Sequence, residues 1–341
     1  MSRIFVHGCG AVSPAGWGVG PMRKALEENA ALPIKPLPRP GWTKPLNIRQ
    51  VTPPSPRPDF MTHARLRRTS PISQHVVGAA LEALGPDAQR VSKGELRLGI
   101  MLCVMSGCVN YSRRFYDEVL REPATASPLV FPETVFNAPA SHIGALLGTP
   151  AMNYTMVGDP GTFLQGVALA AQWLSAGQVD ACLVIGAEEA DWLTSEAYYI
   201  FSRQVVLGDG AGALYLKKDI ADGALAELRA ITDCHLYLQN QNRTKAAARA
   251  RSQLPGCQPD HLLADGLQGL PRLDGPEAAA WRDWNASRIS PKRILGEGLM
   301  AASAWQCVAA VAALAEKKYA AANVSVVGCN QQAIGAHFAA T

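Results

Sequence analysis

No run of about 18 apolar residues occurs in this chain, which excludes a membrane-spanning helix. Charge is scarce and balanced: 18% of the 341 residues are charged, 32 basic against 28 acidic, for a net +4. That balance gives no footing for nucleic acid, although a local basic patch can still meet an acidic protein. The eight cysteines, at 9, 103, 108, 182, 234, 257, 307 and 329, never form C-x-x-C and fall mostly in apolar stretches. They read as buried, reduced thiols, not as a zinc site or a disulfide framework. The G-x-G-x-x-G spacing is absent as well. The opening strand Ile4-Phe5-Val6 runs into Gly8, Gly10, Ser13-Pro14 and Gly16 with no acidic residue at a following strand end, so a dinucleotide loop is excluded. The N-terminus, MSRIFVHGCGAVSP, has neither a charged leader nor a long apolar segment, and the expected location is cytoplasmic. No metal or cofactor is called for.

What is present is apolar. At 48% hydrophobic the chain can bury a large core, as one or two domains. Its organising stretch is Thr149 to Ala190. Alternating Met152, Tyr154 and Met156 suit a strand, Gly158-Asp159-Pro160-Gly161 is a tight breaker, and Phe163 to Leu174 is apolar enough for a core helix. A sharp turn feeding a helix N-terminus presents one residue to a pocket base beside backbone N–H groups and the helix dipole. Ala31 to Pro58 is proline-rich and reads as a surface excursion. Arg65, Arg67 and Arg68 precede a helix whose Ile72, Val76, Val77, Ala80 and Leu81 share one face. Gln239 to Leu254, with Arg243, Lys245, Arg249 and Arg251, reads as an exposed helix, and Ala226 to His235 as a strand.

Several stretches in order resemble the β-ketoacyl synthases, the condensing enzymes of fatty-acid and polyketide synthesis with the thiolase fold. They are the opening strand and turn, Gly99 to Gly107, Ser127 to Gly148 with Asn137, Ser141 and His142, Ala176 to Asp180, Ile185 to Glu188, and Leu207 to Ala213. Asp260 to Gly266, Pro291 to Ala302 and Val324 to Asn330 complete the series. The resemblance implies an α/β thiolase-like fold of two pseudo-repeated halves, 1–221 and 222–341, layered α/β/α/β/α. It also implies a dimer, either of two copies or with an active ketosynthase, and an acidic acyl carrier protein meeting Arg65, Arg67 and Arg68.

In the family the elbow carries a cysteine, whereas here the register falls between Gly158 and Pro160, with Asp159 between them and no Cys, Ser or Thr before Thr162. Asp265 stands at the first catalytic histidine and Glu297 at the second, with Lys292 retained. Gly158, Pro160, Phe163, Met156 and Asn330 are the expected pocket residues. Only Asp191 to Val206 remains of the family's long capping loop. Ketosynthase chemistry needs a thiolate, two neutral imidazoles and oxyanion donors. Carboxylates in the histidine positions would repel an enolate by about 4 kcal/mol per contact at ~4 Å and an effective dielectric of ~20. The expectation is a partner subunit that does not condense, like a chain-length factor. One alternative is an enzyme in which Asp265 and Glu297, with Asp159, share a proton for hydrolysis or proton transfer. The other is an active synthase with its nucleophile elsewhere, such as Cys182.

Overall fold

The computed structural model describes residues 2–219, 221–238 and 240–341, and at 240 and 241 the backbone only. Ten principal strands share one sheet. Those of the first half are β1 (Ile4–Ser13), β2 (Leu98–Val104), β3 (Met152–Val157), β4 (Ala181–Glu188) and β5 (Gly210–Lys218). Those of the second are β6 (Ala226–Ile231), β7 (His261–Ala264), β8 (Ser287–Ile289), β9 (Ala321–Val327) and β10 (Gln332–Ala339). The first half is ordered β3-β2-β4-β5-β1 and the second β8-β7-β9-β10-β6, so the same winding occurs twice. In each half the first three of these strands are parallel and the last two join antiparallel. Antiparallel pairing of Ile4–Val6 with Ala226–Leu228 joins the halves. Every residue of β2 and β4 is buried, as expected of inner parallel strands covered on both faces.

The helices are α1 (Val19–Glu28), α2 (Pro71–Leu84), α3 (Asp87–Ser92), α4 (Val109–Arg121), α5 (Ala138–Leu147), α6 (Thr162–Ser175), α7 (Trp192–Phe201), α8 (Asn240–Ser252), α9 (Pro271–Ala280), α10 (Pro291–Leu295) and α11 (Met300–Ala315). One outer face of the first half is covered by α2 with α5 beside it, and the far face of the second by α8 with α9. Between the halves lie α6 and α11, with α11 touching strands of both. Thirteen of the 16 residues of α11 are buried, the pattern of a helix with no solvent face. It sits directly on glycines: a Cβ at Gly186 would come 2.4 Å from Met300 O, and one at Gly212 2.7 Å from Ala304 Cβ. Trp305 Nε1 then donates to Val12 O and Ala211 O, fixing the helix to the first half.

The strand expected from Ala226 to His235 breaks at Ile231, and His235–Leu236 pairs separately with β10. The basic helix is α8, while Gln239 at its expected start lies outside the described residues. At the first half's edge, β3 pairs on one side only, and its Tyr154 and Val157 are exposed. Exposed Leu129, Phe131, Val135 and Phe136 belong to the stretch leading into α5. No helix among the described residues is long and apolar enough to cross a membrane.

Candidate functional site

The elbow between β3 and α6 is closed by a carboxylate. Asp159 is 3% exposed. Its Oδ1 accepts from Asn330 N at 3.0 Å and from Cys329 Sγ at 3.0 Å, and its Oδ2 from Gln331 N at 3.3 Å and Gln332 N at 3.2 Å. Those donors belong to the turn between β9 and β10, so Asp159 staples the first half's elbow to the second half's hairpin. Gly328 makes room for it, since a Cβ there would lie 1.6 Å from Asp159 Oδ2. Gly161 is equally confined, with Gln332 Cγ and Ile334 Cγ2 each 2.9 Å from a would-be Cβ. From α7, the Tyr198 hydroxyl donates to Cys329 Sγ at 2.9 Å. Burial, then the Asp159 charge, pushes the Cys329 thiol up, so it is protonated. The backbone N–H groups nearest the elbow, which could hold an oxyanion, already hold a carboxylate.

The five expected pocket residues do not share one surroundings. Phe163 is fully buried and points at the helix-packing glycine Gly186. Met156 packs partly buried against the main core, Pro160 is buried, Gly158 is half-buried and Asn330 is exposed. A groove of about 450 Å³ lies elsewhere, along α4, lined by Tyr111, Arg113, Arg114, Glu118 and Arg121 among others.

In the second half, three buried carboxylates meet buried Lys292 and the guanidinium of Arg288, an exposed residue. Asp265 follows β7 and is fully buried; Ser290 Oγ donates to it at 2.6 Å, Leu267 N at 3.2 Å and Arg288 Nη1 at 3.1 Å. Glu297 precedes α11 and accepts from Lys292 Nζ at 2.8 Å, Gln268 Nε2 at 3.0 Å and Leu299 N at 2.9 Å. Leu299 takes a φ of +51°, a conformation costly for a branched side chain, beside that last bond. Burial acts to lower the Lys292 pKa, but the Glu297 charge and hydrogen bond and the Glu277 charge outweigh it, and the net shift is upward.

The proton sharing expected of Asp265 and Glu297 is therefore corrected. Glu297 is neutralised by Lys292, and the carboxyl that feels Asp265 is Glu277 of α9. Glu277 accepts from Gly266 N at 3.1 Å, and burial first, then Asp265, pushes it up to about 7. Asp265 is raised by burial, against the pull of Ser290 and Arg288. Sequence reasoning missed Arg288, Gln268 and Tyr198, which carry no motif of their own.

The remaining candidates fall apart from this cluster. Cys182 is fully buried within β4. His142 Nε2 meets Glu133 Oε2 at 3.0 Å, which gives it a structural partner. Arg65, Arg67 and Arg68 are exposed ahead of α2, and none joins an ion pair among the described residues. In the first half, Glu188 accepts from Met105 N and Ser106 N, and Asp209 from Val51 N; burial pushes each up to about 7.

The fold is the thiolase fold of the ketosynthases. The family described as 3-oxoacyl-[acyl-carrier-protein (ACP)] synthase III matches residues 160–234. In structure the chain is similar to the ishigamide ketosynthase/chain length factor, with a TM-score of 0.84 at 16% identity over 100% of this chain and 99% of that one. It is similar also to a β-ketoacyl synthase from Burkholderia phymatum STM815, with a TM-score of 0.78 at 15% identity over 100% of both chains. A third likeness is to AntDE:AntF, a type II PKS acyl-carrier protein in complex with its ketosynthase bound to the hexaketide (TM-score 0.79, 17% identity, 100% of this chain and 99% of that one). No curated protein matches the chain in sequence.

Proposed function

We propose that this chain is the non-condensing subunit of a ketosynthase-type pair in cytoplasmic polyketide or fatty-acid synthesis. The observation that carries this reading is Asp159: at the elbow where a condensing enzyme needs a thiol, a carboxylate occupies the neighbouring backbone donors. Asp265 and Glu297, each buried and fully hydrogen-bonded, support it, because neither is free to assist loss of CO₂ or stabilise an enolate. The partner docks along the β3 edge, with its free strand backbone, and on the exposed apolar side chains of the stretch from Leu129 to Phe136. Arg65, Arg67 and Arg68 meet the acidic carrier protein that serves the pair.

Co-expression with an active ketosynthase from the same genome tests this. The expected result is a stable complex that elongates acyl chains from malonyl carrier protein, with the chain alone inert. Release of CO₂ and formation of a ketoacyl product by the isolated chain would overturn it.

A further inference from the structure

We propose that the surface formed by the end of α7, the segment Leu236–Leu238 and α8 binds anionic lipid, laying the chain on a membrane that it does not span. Four large apolar side chains stand out from this surface. Leu236 is 72% exposed and Leu238 94%, Ile200 73% and Phe201 85%. The two pairs flank one turn: Tyr198 of α7 donates to Cys329 Sγ, and Tyr237 N, between the two leucines, donates to Gln331 O at 2.7 Å. Side chains this exposed are tips, not the walls of a groove, and none of them lines the groove along α4. Apolar tips on both sides of a turn are poorly matched by a rigid protein face, whereas the acyl boundary of a bilayer deforms around each of them.

Charge selects the headgroup. The helix α8 begins two residues after Leu238 and carries Arg243, Lys245, Arg249 and Arg251 without one acid. Its Ala246, Ala247 and Ala250 are buried in a small core cluster, which turns Lys245 and Arg249 outward, and both are exposed. One turn apart and of one sign, these two destabilise their own helix. Neither joins an ion pair among the described residues, nor does Arg203, exposed two residues after Phe201. The acids of the neighbouring α9 region are engaged: Asp283 pairs with Arg251 at 3.4 Å, and Asp274 accepts from Gln268 N and Leu270 N. At about 1.5 Å per helical residue, Arg249 lies within about 20 Å of Leu238, so tips and cations reach one surface together. Apolar insertion and attraction to anionic headgroups are each weak alone, and in combination they hold a folded chain reversibly. This goes beyond the partner role, which rests on the β3 edge of the first half, so vesicle binding and partnership can fail separately.

The test sediments the full chain with vesicles of phosphatidylcholine, either pure or with about 30% phosphatidylglycerol. Partitioning at least about tenfold stronger onto the anionic vesicles is expected, falling at least about fivefold between about 0.1 M and about 0.5 M salt. Leu238→Ser with Phe201→Ser, and separately Lys245→Gln with Arg249→Gln, should each weaken binding at least about tenfold. All four side chains are exposed, so both double variants should keep the native melting temperature by circular dichroism. No binding, equal binding to neutral vesicles, or binding that survives either double variant would overturn the proposal. So would an acidic carrier protein, or a second copy of the chain, that needs these residues while vesicles do not bind.

Discussion

Replacing Asp159 by alanine removes the acceptor for three backbone N–H groups and one thiol. Asn330 and Gln331 are exposed, so water can take over their amides, and the net loss is about 1 kcal/mol each. Gln332 is 4% exposed, and stranding its N–H costs about 1–3 kcal/mol. The thiol is a weak donor and adds little. Against these stands the relief of desolvating one carboxylate, on the order of 1 kcal/mol after its hydrogen bonds are counted. The balance is a loss of about 2–4 kcal/mol, a large part of the roughly 5–15 kcal/mol that holds a typical domain. Urea unfolding followed by tryptophan fluorescence should show the midpoint falling with the slope unchanged. Asp159→Asn keeps one carbonyl acceptor and should lose about half as much. A shift under about 1 kcal/mol for alanine, or equal losses for the two variants, would refute the staple.

Gly328→Ala places a methyl where Asp159 Oδ2 now sits. It should cost more than about 3 kcal/mol in the native chain and under about 1 kcal/mol beside Asp159→Ala, a coupling read from a double-mutant cycle. Glu277 has its folded pKa raised to about 7 by burial and then by Asp265. The folded chain therefore keeps that proton to higher pH than the unfolded chain, and stability falls as pH rises from about 4.5 through about 7. Glu188 and Asp209, also near 7, act in the same direction. Glu277→Gln should accordingly make the slope of melting temperature against pH less negative over that window, and an unchanged slope would count against the assignment. Lys292→Met leaves Glu297 buried without its cation and should destabilise by about 3–5 kcal/mol, whereas Lys292→Met with Glu297→Gln should recover at least half, as measured by calorimetry.

Much of the architecture was legible because it rests on long periodic or all-apolar segments. The strands around Ile100 and Val184 are buried throughout and the helix from Phe163 over most of its length, and burial of that kind leaves a largely apolar run. The elbow was legible as a place and as the loss of a thiol. What Asp159 does instead was not, because its partners come from residues 329–332, more than 160 positions along the chain, and three of the four are backbone groups that carry no sequence signal. The pairing of acids failed for a related reason. Asp265 and Glu297 share the ends of neighbouring elements, but Lys292, one helical turn before Glu297, reaches it first, and α9 brings Glu277 to Gly266. Phe163 was expected at a pocket because it follows the elbow. A helix entering at that angle turns its second residue inward to Gly186.

For the non-condensing subunit proposed above, the repeated winding sets two carboxylates at matching points. Asp159 stands three residues before α6 and Glu297 three residues before α11, at matching points of the two halves. Each takes a backbone N–H, from the β9–β10 turn in one case and from Leu299 at the entry to its own helix in the other. The mouth of a buried helix favours negative charge, since its first amides and dipole point there. A condensing enzyme uses such a position to raise charge only in the transition state. A permanent carboxylate there stabilises the resting fold instead. Restoring a thiol with Asp159→Cys alone should therefore weaken the fold and, on the reading proposed above, yield no condensation while Asp265 and Glu297 remain.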